Sequence, residues 1–139
     1  MFRIVNRKRN EIIELEAQVL FSRLMPDGRG GTVRRYAALP LERNKVTFFP
    51  LSWTIVHPID GTSPLAGRTS EDLERAEAEI LVLLSGTDEA LEQTVHARSS
   101  YRADEIVWNA RFRSMFVAAP EHGRVSVDIS RVDEIETVA

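Results

Sequence analysis

Between residues 13 and 22 the chain alternates. Ile13, Leu15, Ala17, Val19 and Phe21 are apolar, while Glu14, Glu16, Gln18 and Ser22 are polar, with Leu20 the exception. A repeat of two places one set of side chains on a core face and the other in water. Helix is the competing reading, because Glu, Leu, Ala and Gln are good helix formers. A helix would scatter the five odd-numbered apolar residues around its circumference, so the spacing predicts a strand with Glu14 and Glu16 on its solvated face.

Turn residues divide the rest. Pro26–Gly31 reads PDGRGG and predicts a mobile hairpin tip, followed by a second strand over Thr32–Leu39. Val46–Val56 is rich in β-branched and aromatic side chains and predicts one or two strands split at Pro50. His57–Gly67, with two prolines and two glycines, predicts a long ordered loop. Thr69 or Ser70 with Asp72 resembles a capping box, and Glu71, Asp72 and Glu74 favour the positive end of a helix dipole, so one short helix is expected to about Glu77. Beyond it, Ile80–Leu84 reads as a buried strand, Ser85–Asp88 as a turn, and Glu89–Tyr101 and Ile106–Phe112 as further strands. Glu121–Gly123 is a hairpin signal before the alternating Val125, Val127 and Ile129. Many short strands and one minor helix predict an all-β sandwich.

At 139 residues, with 43% apolar and 28% charged side chains, this is material for one globular domain over residues 1–139. A net charge of -3 gives no basic field for nucleic acid. The absence of cysteine removes disulfides, thiolate metal sites and thiol catalysis. No apolar run approaches the roughly 20 residues of a spanning helix, and MFRIVNRKRN is not a secretory opening. A soluble, intracellular chain is the expectation.

Candidate chemistry is sparse. His57, His96 and His122 stand in no metal-binding spacing, so no metal and no cofactor is expected. His57 with Asp60 and Ser63 has the residue types of a hydrolytic triad, without a nucleophile elbow or an oxyanion loop, and no enzyme is expected. Gly28, Gly30 and Gly31 lack the lysine and helix of a phosphate loop. Arg7-Lys8-Arg9 is by default a solvated run; the sharper alternative is a polybasic contact with anionic lipid.

One resemblance goes further. LSWTIVHPIDGTSPLAG (Leu51–Gly67), the segment Ser70–Phe112 and the opening Phe2-Arg3-Ile4-x-Asn6 leading to Glu14 resemble the C-terminal cytoplasmic domain of inward-rectifier potassium channels, the prokaryotic branch most of all. The most specific pieces are His57-Pro58-Ile59-Asp60 with Ser63-Pro64-Leu65, and Arg98-Ser99-Ser100-Tyr101 with Glu105-Ile106-x-Trp108. Leu24–Val46 and the stretch after Met115 carry the resemblance least.

The resemblance implies an immunoglobulin-like β-sandwich assembled as a homotetramer on the cytoplasmic face of the plasma membrane, below a transmembrane pore domain absent from this sequence. It implies an ion-transport function, in a parent expected to be a voltage-gated channel, and a chain that is an excised or truncated part of it. Glu14 corresponds to an acidic pore-lining position, where potassium, magnesium or polyamines would be transient occupants. Ser85 stands where many eukaryotic relatives have a second acid. Gly86–Thr94 corresponds to a constriction loop, in which Gly86 would let backbone approach the axis; Glu92 either adds a charge ring there or marks a displaced loop. Glu89 and Arg98 match an ion pair that holds this loop, and Arg7, Lys8 and Arg9 fall at the lipid-facing top, where anionic phospholipid is a candidate partner. A free-standing immunoglobulin-like module that binds a protein ligand is the alternative.

Overall fold

The computed structural model describes residues 1–7, 11–49, 52–119 and 124–138. Among these residues eleven strands and one α-helix follow in the order β1 (Phe2–Val5), β2 (Ile12–Pro26), β3 (Thr32–Ala38), β4 (Lys45–Phe48), β5 (Ser52–Ile55), α1 (Ser70–Arg75), β6 (Glu79–Asp88), β7 (Gln93–Arg102), β8 (Ala110–Phe112), β9 (Phe116–Ala119), β10 (Arg124–Val127) and β11 (Ile135–Thr137). The fold is an all-β sandwich with one short helix, as the turn-punctuated pattern predicts.

The main sheet has the antiparallel order β3-β2-β6-β7, and β4 pairs with the early part of β2 that β3 leaves free. Along β2 the predicted alternation is present: Leu15, Ala17, Val19 and Phe21 are buried, and Glu14, Glu16 and Gln18 are exposed. Facing this sheet, the β1–β5 ribbon contributes Trp53 and Ile55, and Leu73 of α1 and Leu39 close the same core. Phe21 and Ile55 are wholly excluded from solvent. Burying such a side chain stabilises by about 1.5–3 kcal/mol.

Local chemistry sets the boundaries. The β2–β3 tip is pinned by Asp27, whose Oδ1 accepts from the N–H groups of Arg29 (2.7 Å) and Gly31 (3.0 Å). Helix α1 begins at a reciprocal capping box: the Asp72 N–H donates to Thr69 Oγ1 at 3.2 Å, and the Thr69 N–H donates to Asp72 Oδ2 at 2.9 Å. It ends at Arg75, ahead of the expected Glu77, which adopts a left-handed φ of 46°. Arg3 on β1 ties the ribbon to the end of the chain. Its guanidinium donates to the carbonyls of Val132 (2.9 Å), Arg131 (2.7 Å) and Arg113, and lies over the Phe112 ring.

Three expectations are corrected. Ser85–Asp88 is the last four residues of β6, not a turn; the segment pairs with β2 on one side and β7 on the other, and the turn is displaced to residues 89–92. Turn-forming composition is overridden there by two ladders of backbone hydrogen bonds. The segment 106–112 is strand only over β8, because it leaves a 3₁₀ turn over Ala103–Glu105 and is then broken by a left-handed Asn109 (φ 54°). Ile12, rather than Ile13, packs against the core. Pro50 and the hairpin signal at Glu121–Gly123 lie outside the described residues.

Candidate functional site: the acidic face of the β2–β6–β7 sheet

The displacement of Ile13 has a local cause. Ile13 pairs with Thr87 and Glu16 with Ser85, so Glu14 and Leu15 together oppose the single residue Gly86. This is a β-bulge, with Glu14 in the left-handed region at φ 50°. The extra residue changes parity, turning Leu15 into the core while Glu14 and Glu16 both stay on the solvent side. A Cβ on Gly86 would stand 2.8 Å from Ile12 Cγ2 and 3.2 Å from Leu15 Cδ1. The bulge and the missing side chain therefore fit each other, and Gly86 is buried against β2.

Lys45 meets the two carboxylates. It pairs in register with Glu16, and its Nζ lies 2.7 Å from Glu14 Oε2. The hydrogen bond and charge of Glu14, with a smaller contribution from Glu16, raise the Lys45 ammonium above its ordinary pKa. Each chain thus carries two carboxylates and one ammonium here, a net charge of -1 in the cluster.

The same face continues across the sheet. Glu16 of β2, Ser85 of β6 and His96 of β7 form one cross-strand row, and Gln18, Leu83 and Arg98 form the next. A shallow groove of about 540 Å³ runs along these two rows. Strand β7 is exposed over its whole length and forms the outer edge of the sheet. Asp88, buried at the end of β6, accepts from the N–H groups of Ala90 (3.1 Å) and Leu91 (3.2 Å), which shapes the turn at 89–92; Glu92 closes it in the left-handed region at φ 49°.

The structure brings some predicted residues together and separates others. Glu14, Ser85 and Gly86 meet around the bulge, and Glu92 lies at the exposed turn beyond. Glu89 and Arg98 do not pair within the chain. Arg98 is opposite Leu83, five residues along β7 from the Gln93 that faces Asp88, a run of about 17 Å at strand rise. Arg7 is exposed, and Lys8 and Arg9 lie outside the described residues. His57 and Ser63 do meet, with Nε2 2.7 Å from Oγ, but the His57 Nδ1 faces the Pro40 carbonyl. Asp60 instead accepts from Thr62, through its N–H at 2.9 Å and its hydroxyl at 2.7 Å. The three make a loop clasp rather than a triad. Among the described residues no group of three or more His, Asp or Glu side chains is placed to hold a metal ion.

A family model described as the inward rectifier potassium channel C-terminal domain matches residues 1–139. The chain belongs to this family. It is 39% identical to inward rectifier potassium channel Kirbac3.1 of Paramagnetospirillum magnetotacticum over 97% of its length and 45% of the relative's. It is 34% identical to human inward rectifier potassium channel 4, over its full length and 32% of that protein, and 33% identical to mouse ATP-sensitive inward rectifier potassium channel 12, over 94% and 31%. The domain thus spans less than half the length of these curated relatives.

The expectation of a voltage-gated parent is corrected by these matches. The relatives are inward rectifiers, whereas voltage gating is the property of channels with arginine-rich sensor helices. No helix among the described residues of this inward-rectifier domain is long and apolar enough to cross a membrane. The sequence pattern places Glu14 on the solvent face but gives no sign of Lys45, its ionic partner, because the register of β4 on β2 is set by packing over a gap of some thirty residues. The left-handed bulge was equally hidden, since Glu is not a residue type that announces a positive φ.

Proposed function

We propose that this domain extends the ion pathway of an inward-rectifier potassium channel on the cytoplasmic side, as a homotetramer whose β2 faces surround a cation conduit. The observation that carries the reading is the charged cluster on the solvent face of β2, where Glu14 and Glu16 both lie away from the core and the one ammonium that meets them, Lys45, leaves the cluster negative. Four copies would place four such clusters around one axis, a net -4 after Lys45 is counted. A ring of this charge in a narrow aqueous passage concentrates potassium and retains magnesium or polyamines as transient occupants.

Residues 86–94 form the constriction in this reading, and the turn at 89–92 is its tip. Ser85 supplies no second acidic ring. Glu92, at the exposed turn, presents its charge to the passage. Glu89 and Arg98, separated within one chain, would pair between neighbouring copies. Arg7, Lys8 and Arg9 would meet anionic phospholipid at the membrane side, and rigid-body shifts of the sandwiches would gate the constriction.

The test is block of outward current by magnesium and spermine in inside-out patches of a full-length channel carrying this domain. Glu14→Gln should weaken block about tenfold, roughly the effect of removing 1.4 kcal/mol of attraction. Unchanged block in a variant that still assembles and conducts would refute the placement of Glu14 beside the ion path.

A further inference from the structure

The file of inward-facing residues on β2 does not stop at Phe21. Two residues on, at the next position of the same face, stands Arg23. Its guanidinium carbon lies 5.1 Å from the centroid of the Phe21 ring. Nε and Nη1 of Arg23, in a side chain that is otherwise half-buried, are shielded from solvent and have no hydrogen-bond partner among the described residues. A second guanidinium, that of Arg68 in the loop before α1, lies 5.7 Å from the same ring. Directly across the ladder from Arg23 stands Arg35 of β3, a third positive charge at the same level of the sheet.

No described acid forms an ion pair with these guanidiniums. Arg68 donates its Nε to the Pro64 carbonyl at 2.7 Å, and neither Arg23 nor Arg68 forms an ion pair among the described residues. Asp72 feels the charge of Arg68, but its carboxylate is committed to the capping box with Thr69. Burial and the neighbouring Arg68 both act against the charged form of Arg23. N–H groups shielded from water without an acceptor are costly to leave unmade, and like charges directly opposite on adjacent strands repel. The arrangement lacks an acceptor that is also negative.

We propose that Arg23 and Arg68, with Arg35 at the rim, form a binding site for a phosphate-type oxyanion. A water molecule could accept from the orphaned N–H groups but would leave the repulsion among the guanidiniums in place. An oxyanion answers both, because two or three of its oxygens can accept in-plane N–H groups from forks whose faces are occupied by Phe21. The ligand is either free phosphate or the phosphate group of a small monoester. This site is unrelated to the Glu14 face and stands whether or not the conduit reading does.

The experiment is thermal unfolding of the 139-residue chain in chloride, in inorganic phosphate and in glycerol 3-phosphate, at matched ionic strength and pH. Phosphate at ten times its dissociation constant multiplies the folded-to-unfolded ratio about elevenfold, a rise in Tm of about 3–6 °C for a domain of this size. Arg23→Met and Arg68→Met should each abolish that rise, while Arg43→Met, a change to an exposed arginine elsewhere, should retain it. Arg23→Met in chloride should be no less stable than the parent, since it removes two unsatisfied N–H groups and a charge that faces Arg35 and Arg68. A rise with phosphate alone assigns the site to the free ion, and a rise with both assigns it to a phosphate group. No rise in the parent chain, or an equal rise in Arg23→Met and Arg68→Met, overturns the proposal.

Discussion

Gly86→Ala distinguishes two reasons for a glycine at the head of the proposed constriction segment. If the residue is glycine only to keep open space clear, a methyl group should leave the isolated fold untouched. The structure indicates otherwise. The added Cβ would stand 2.8 Å from Ile12 Cγ2, 3.2 Å from Leu15 Cδ1 and 3.4 Å from the Ile13 carbonyl oxygen. Leu15 is buried and the Ile13 carbonyl belongs to the β2 backbone, so most of the accommodation falls on Ile12 or on the bulge itself. Overpacking of this kind costs about 1–3 kcal/mol. Replacing glycine by alanine within a strand returns about 0.5–1 kcal/mol of backbone entropy. Taken at the middle of both ranges the net loss is about 1.2 kcal/mol, or a Tm lower by about 4 °C. Gly61→Ala is the control, because no atom lies within 4 Å of its added Cβ and its φ is not left-handed. Calorimetry of both variants checks the reasoning. A Gly86→Ala chain that melts with the parent, or a Gly61→Ala chain that loses as much, would show that the bulge and the glycine are not fitted to each other.

Three further outcomes follow from the geometry. Lys45→Met removes the ammonium that faces Glu14 and Glu16, so in the full-length channel magnesium block should strengthen several-fold, opposite in sign to Glu14→Gln; weaker block would contradict the proposed field. Ser63→Ala strips the acceptor of the Leu65 N–H and the partner of His57 Nε2 in a buried loop clasp, and should cost about 1–3 kcal/mol in urea unfolding; a neutral effect would mean the clasp is replaced by water. The backbone and hydroxyl hydrogen bonds of Thr69 hold the Asp72 carboxyl below its ordinary pKa. A depressed folded pKa means that this contribution is complete above about pH 4 and is lost as pH falls through the lower, folded value. Asp72→Asn should therefore flatten part of the acid limb of a Tm-against-pH curve, and parallel curves for the two chains would refute the assignment.

Local rules read much of this fold because they act over a few residues. The alternation along β2, the Thr69–Asp72 box and the PDGRGG tip depend on side chains that meet neighbours two to four positions away, and all three are where the sequence places them. The same rules fail at Ser85–Asp88, where small and polar residues read as a turn but lie between two strands that supply a partner for their backbone groups. They fail again at Ile13, which one extra residue in the ladder exchanges with Ile12.

The candidate site divides along the same line. That Glu14 and Glu16 lie away from the core is a matter of period, and the amino-acid order alone determined it. That Glu14 sits on a left-handed bulge facing Gly86, that Lys45 reaches it across β4, and that Arg23 is left without a counter-charge beside Arg68 were decided only by the tertiary structure. Pairing register and the packing of distant segments depend on the whole core at once, and no local pattern of side chains encodes them.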